Sequence, residues 1–266
     1  MRLLIASLLL CACKSAEVKP DAAAPELQGQ ELLVLSQSLT EFHLKLAGKL
    51  QCGEACSATK ATWQLVVDGK VVSSGDTAVS SSGGDFALEQ KSQYVASADE
   101  LKAMDTRGGS LLAALRGTLF VTQGGKNFEI PFARSREVRV PRLPHMKFQE
   151  LEAGRFSEIE SGVTFHIGVH NPNPFEIRVA SIKYEVSVAG KKVGDSVIGR
   201  SERVSPSSTG VFDIEARVDS ETHGEAEVRK LIKSKVLPYV ITGEMTAELW
   251  SETFEFKGDI KLPATR

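Results

Sequence analysis

Tyr184 to Lys191 reads YEVSVAGK, and Trp63 to Lys70 reads WQLVVDGK. Each is an alternating run that ends in a two-residue turn containing glycine. A period of two marks a strand with one buried face, and the glycine supplies the positive φ that a tight hairpin needs. Reading outward, the same signals recur in the same order roughly 120 residues apart. Phe42-His43-Leu44 answers to Phe165-His166-Ile167, and FALE from Phe86 to Glu89 answers to FDIE from Phe212 to Glu215. Gly117 answers to Gly243, Phe128-Glu129 to Phe254-Glu255, and Val140-Pro141 to Leu262-Pro263. An ordered set of matches this long predicts one domain used twice. His43 and His166 then fall at equivalent positions.

Further alternating or β-branched runs at Val211–Val218, Val236–Leu249 and Thr253–Leu262, with Thr59–Val67, Leu111–Thr122 and Phe128–Val140 in the first half, complete two sets of strands. One helix interrupts each set. Ser97 with Glu100, and Thr222 with Glu225, have capping-box spacing, and Leu101, Met104, Val228, Leu231 and Ile232 follow at helical intervals. Short turns between mostly antiparallel strands predict an all-β fold with one helix per domain, as two tandem β-sandwiches.

The start of the chain has a different character. Arg2 precedes an apolar run, Leu3 to Leu10, far short of the ~20 residues that span a bilayer. This is the pattern of an export signal. Leu10-Cys11-Ala12-Cys13 resembles the bacterial lipobox, in which a small residue precedes the cysteine that is lipidated. The resemblance implies a signal peptide over 1–12 and membrane attachment through lipid on Cys13. Cys11 fits less well because Leu10 would occupy the preceding position. Lys14, where an aspartate would suggest inner-membrane retention, points by the same resemblance to a periplasm-facing outer-membrane lipoprotein. An ordinary signal peptide or a misassigned start is the alternative. Residues 13–30 are rich in Ala and Pro without apolar periodicity and read as a flexible tether. The two domains then occupy 31–142 and 143–266.

A net charge of −2 with both signs interspersed excludes the electrostatic footprint of a nucleic-acid binder. Arg134, Arg136, Arg139, Arg142 and Lys147 form one basic cluster near the end of the first domain. A solvated edge strand accounts for it, with anionic headgroups as the other reading.

Val169-His170-Asn171-Pro172-Asn173-Pro174-Phe175 follows an opening strand and precedes the long alternating one. Proline ends ladder pairing, while asparagine side chains cap backbone groups in a turn. With the strand, hairpin and helix that follow, this turn resembles the late-embryogenesis-abundant type 2 domain, also called the water stress and hypersensitive response (WHy) domain. The resemblance covers 143–266 and, more weakly, 31–142. It implies fibronectin-III-like sandwiches, association with desiccation and stress tolerance, and no catalytic site. By this resemblance Asn171, Pro172 and Asn173 take the family's motif positions, with the structural job of crossing between sheets as the reading and ligand binding as the alternative. In the first copy this loop holds Cys52 and Cys56, which read as a loop-closing disulfide with free thiols as the alternative.

No Walker A, G-x-G-x-x-G, G-x-S-x-G or H-E-x-x-H motif is present. Ser57-Ala58-Thr59-Lys60 matches S-x-x-K but lacks its partner motifs. No cofactor or metal is expected, and no small-molecule substrate is identified. The reading is a non-enzymatic protein that binds client or envelope proteins, or membrane surfaces, under desiccation or envelope stress. The alternative is a structural adaptor of an envelope complex.

Overall fold

The computed structural model describes residues 23–82, 84–156, 160–199, 201–234 and 236–261. Cys13 and residues 1–12, read above as a signal peptide, lie outside them. The first unit contains β1 (Glu26–Gln37), β2 (Glu41–Gln51), β3 (Cys56–Val67), β4 (Lys70–Ala78), β5 (Ser80–Ser82), β6 (Asp85–Gln93), α1 (Ala98–Arg107), β7 (Ser110–Gln123) and β8 (Lys126–Arg139). Its two sheets have the orders β1-β2-β6-β5 and β4-β3-β7-β8.

The second unit contains β9 (His145–Phe156), β10 (Glu160–His170), β11 (Ile177–Val179), β12 (Ser181–Val188), β13 (Lys191–Ile198), β14 (Glu202–Val204) and β15 (Thr209–Asp219). Then come α2 (Ser220–His223), α3 (Glu225–Ser234), β16 (Val236–Ala247) and β17 (Trp250–Lys261). Its sheets run β15-β10-β9 and β13-β12-β16-β17, with β11 and β14 as a small separate pair. All described pairs are antiparallel, and the strand order repeats that of the first unit. The fold is all-β, in two tandem antiparallel sandwiches.

Alternation builds both cores. Phe42, Leu44 and Leu46 on β2 face inward, as do Val163, Phe165, Ile167 and Val169 on β10. Each such side chain removed from water contributes roughly 1.5–3 kcal/mol before the entropy of ordering is set against it. The hairpins turn as their sequences predict. Asp68 and Gly69 have φ of 48° and 84°, and Ala189 and Gly190 have 49° and 77°, the paired positive values of a type I′ turn.

One row in each unit fixes a sheet-to-core contact. Trp63 pairs with Gly117, which pairs with Phe132; Tyr184 pairs with Gly243, which pairs with Phe254. A Cβ on either glycine would run into the phenylalanine ring and into the carbonyl of Thr62 or Lys183. Glycine is required there by close approach.

Four sequence expectations are corrected. Phe132, not Phe128, corresponds to Phe254, because the β7–β8 hairpin is longer on both strands. His43 and His166 are not equivalent. His166 pairs with Asp213 of FDIE, whereas Ala87 at that place in FALE pairs with Ala47, four residues past His43.

The second helix is not capped by Thr222. Thr222 lies inside the short α2, which Asp219 caps by accepting from the Thr222 N–H at 2.8 Å, and Gly224 at φ 83° separates it from α3, the helix that carries Val228, Leu231 and Ile232. Finally, the tether read over 13–30 ends before Glu26, because β1 already pairs Glu26 with Gln51 and Leu27 with Leu50. An edge strand is held by its backbone ladder and needs few apolar side chains, so its composition resembles a linker.

The two units meet end to end. The strand ends at Ser38–Phe42, the helix α1 and the segment 140–144 lie on the first unit's side. The 171–175 turn and the β16–β17 hairpin lie on the other. At the far end of the first unit, Gln123 Nε2 donates to the Ala23 carbonyl at 2.8 Å beside the 52–56 loop.

Candidate functional site

The Asn171-Pro172-Asn173 turn leaves β10 in one sheet and delivers the chain to β11 and then β12 in the other. Both asparagines are fully buried. The Asn171 amide donates to the carbonyls of Phe175 (2.8 Å), Val204 (3.1 Å) and Ser205 (3.1 Å). Its Oδ1 accepts from the Asn173 backbone N–H and from Asn173 Nδ2, both at 3.0 Å. Asparagine carries both donors and an acceptor on a short stem, so one side chain satisfies several backbone groups that a crossing between sheets leaves unpaired.

Asn173 extends this network across the junction. Its Oδ1 accepts from the Arg142 backbone N–H at 2.7 Å, and its Nδ2 donates to the Arg142 carbonyl at 2.8 Å. The side chain therefore pairs with the inter-unit segment as a neighbouring strand would. Arg142 in turn reaches Asp105 of α1, with Nε 2.8 Å from Oδ1, and the Leu143 N–H donates to the same carboxylate. Val140 and Leu143 are buried on either side.

A second clamp was not anticipated. Glu248, held at φ 48° in the β16–β17 hairpin, accepts from Ser38 Oγ at 3.1 Å and from Thr40 Oγ1 at 2.9 Å. Beside it, Tyr94 stacks on Phe42 with ring centres 3.9 Å apart and donates its hydroxyl to the Ser38 carbonyl. Burial holds the Tyr94 phenol well above its ordinary range. No local pattern flags Glu248 with Ser38 and Thr40, since these partners lie some two hundred positions apart in sequence. Beside the Glu248 clamp opens a cleft of 760 Å³ whose wall includes Leu35, His43, Lys91, Phe175, Arg178 and Glu248. Charges of both signs and an exposed leucine share it.

In the first unit, the loop equivalent to the asparagine turn holds the Cys52–Cys56 disulfide. A ring this small constrains the unfolded chain by about 2 kcal/mol. The arginines of β8 are also engaged. Arg134 Nε donates to the Gln30 carbonyl at 3.2 Å and Arg136 to the Leu32 carbonyl at 3.3 Å, which joins edge strand β8 to edge strand β1.

His166 lies on the outer face of β10 between Asp213 and Glu150. Its Nδ1 is 2.7 Å from Asp213 Oδ1, and that hydrogen bond, with the charges of Asp213, Glu150 and Glu152, raises its affinity for a proton. Ser57 sits exposed on β3 in an ordinary strand. Among the described residues, no group of three or more His, Cys, Asp or Glu side chains is arranged to hold a metal ion. No helix among them is long and apolar enough to cross a membrane.

No curated protein matches the chain significantly. Among solved structures, a protein from Archaeoglobus fulgidus is 16% identical, covering 45% of this chain and 100% of its own, with a TM-score of 0.32. A solution structure from Arabidopsis thaliana is 18% identical, covering 46% of this chain and 83% of its own, at 0.37. Red sea bream transglutaminase is 10% identical over 90% of this chain and 32% of its own, at 0.31. The family model described as late embryogenesis abundant protein matches residues 166–259, from the middle of β10 through the asparagine turn to β17. Over these residues the second unit is thus similar to the late-embryogenesis-abundant type 2 domain.

Proposed function

We propose that this chain is a non-enzymatic stress protein of the late-embryogenesis-abundant type 2 kind, anchored to the bacterial outer membrane by lipid on Cys13 and facing the periplasm. The first unit, which the family model does not reach, is read as a degenerate second copy. The protein acts by binding partly unfolded client proteins on its folded surface during desiccation or envelope stress. The family match across the asparagine turn is the observation that carries this reading. The polar side chains of that turn are consumed in backbone hydrogen bonds, which suits a scaffold better than a reacting centre.

Two measurements test it. Radiolabelled palmitate should enter the wild type and Cys11→Ser but not Cys13→Ser; labelling that persists in Cys13→Ser removes the anchor. A client enzyme dried or heated with the purified protein should keep more activity than with an equal mass of albumin. No difference, with stoichiometric recovery in one membrane complex, would instead favour the adaptor.

A further inference from the structure

The first unit leaves one sheet edge half covered. β6 pairs with β2 from Asp85 to Gln93, but on its other side β5 pairs only with Asp85, Phe86 and Ala87. The reason is a change of sheet. The chain runs along β3 as β4 as far as Ala78, passes Val79, whose N–H still donates to the Thr59 carbonyl, and joins β6 only from Ser80. Had β5 extended backwards in register it would have covered Leu88 onward. Instead the line is vacated, and the backbone of residues 88–93 has a ladder on one side among the described residues. Six residues present about 20 Å of strand edge.

The vacated edge faces a groove. Edge strand β4 runs antiparallel to β6 across the seam, and a cavity lies at each end of it. One, of 240 Å³, is bounded by Thr77 and Ala78 on β4 and by Ala87, Leu88 and Glu89 on β6. The other, of 560 Å³, lies where Val71 and Val72 face Gln93 and Tyr94, with Ala103 and Met104 of α1 as its floor. Charges at its mouth are already matched: Asp68 with Arg107 at 2.6 Å and Lys70 with Glu100 at 3.7 Å. Val71 is 42% exposed there. The second unit differs at this seam, since a Cβ on Gly194 of β13 would lie 3.4 Å from the Glu215 carbonyl of β15, so the edges close together.

We infer that the β4–β6 seam of the first unit binds an extended polypeptide segment, which adds as a strand to β6 at Leu88–Gln93. One of its apolar side chains enters the cavity between Val71, Val72 and Met104. Unpaired ladder groups call for a backbone in extended form, which supplies donors and acceptors at strand spacing. The paired charges at the cavity mouth leave no demand for a charged side chain. This inference rests on the client-binding reading and names its site: unfolded chain, recognised by backbone first and by alternate apolar side chains second.

The test uses the full chain and a fluorescein-labelled octapeptide, Lys-Val-Thr-Val-Thr-Val-Thr-Lys, read by anisotropy. Two N-methylated forms block alternate sets of amides. One set faces β6, so one methylated form should bind at least tenfold more weakly and the other within threefold of the parent. Val71→Lys should weaken binding at least fivefold without lowering the melting temperature. If it lowers the melting temperature, Met104→Glu with an unchanged melt serves in its place. Hydrogen exchange should slow at 88–93 on peptide addition and stay unchanged at 211–217. Equal loss with both methylated forms, protection on β15 instead of β6, or no binding by the wild type would each overturn the inference. Client protection is measured alongside. Protection without peptide binding leaves the stress reading standing and removes this site; peptide binding without protection does the reverse.

Discussion

Asn171 shows how much one side chain can carry when a chain changes sheets. Its amide and carbonyl serve three backbone carbonyls and two groups of Asn173, all inside the protein. Truncation to alanine leaves those groups buried and unpaired, each worth about 1–3 kcal/mol. Asn171→Ala should therefore lose about 3 kcal/mol in chemical denaturation, whereas Pro172→Ala, which mainly frees the unfolded chain, should lose under about 1 kcal/mol. Equal losses would mean that the ring, not the amide network, holds the turn.

His166 makes a prediction of a different sign. Its hydrogen bond to Asp213 favours the imidazolium, so the folded value lies above the ordinary 6.5. Stability from this pair is fully present below the unfolded value and fades as pH rises through the folded one. NMR titration should give a midpoint above 6.5, and His166→Gln should be most destabilising on the acid side. A larger effect in alkali would refute it. At this scale the turn was legible because Asn-Pro-Asn sits between two alternating runs. The hold of Asn173 on Arg142 was not, because a contact 31 residues away leaves no local mark.

At the scale of elements, strands and hairpins followed from alternation and glycine placement, and boundaries were lost where a backbone ladder replaced side-chain burial. β1 shows this at Glu26; the α2–α3 break at Gly224 was lost for another reason, since a capping pattern does not reveal a positive φ. The glycine–phenylalanine rows supply the sharpest test. Gly243→Ala places a methyl against the Lys183 carbonyl and the Phe254 ring, both fixed by the sheet. Overpacking of that kind costs about 1–3 kcal/mol, and the second unit alone should melt earlier. Gly190→Ala meets no atom within 4 Å, and its penalty is that of positive φ alone. A Gly243→Ala variant as stable as the wild type would show that the ring moves aside.

For the whole molecule, the junction decides whether two sandwiches behave as one body. Asn173 with Arg142, and Glu248 with Ser38 and Thr40, clamp it, and the second of these pairs lines the cleft. Nitrogen-15 relaxation should give a single tumbling time for the wild type. Asn173→Ala with Glu248→Ala should split it into two, with both units still folded by their amide spectra. A single time in the double variant would locate the rigidity in the buried contacts of Val140 and Leu143.

The bond from Gln123 to the Ala23 carbonyl has a consequence for how the protein stands. It fixes the point where the chain enters the fold to the disulfide-loop end, opposite the junction. Any restraint upstream of Ala23 then grips the rod by its foot. Two sandwiches with strands of eleven to twelve residues, set end to end, reach roughly 70 Å. The unit bearing the asparagine turn stands at the far end from that foot, and the open β4–β6 groove lies along the half nearer to it; were Cys13 lipidated as proposed, that half would lie nearest the membrane.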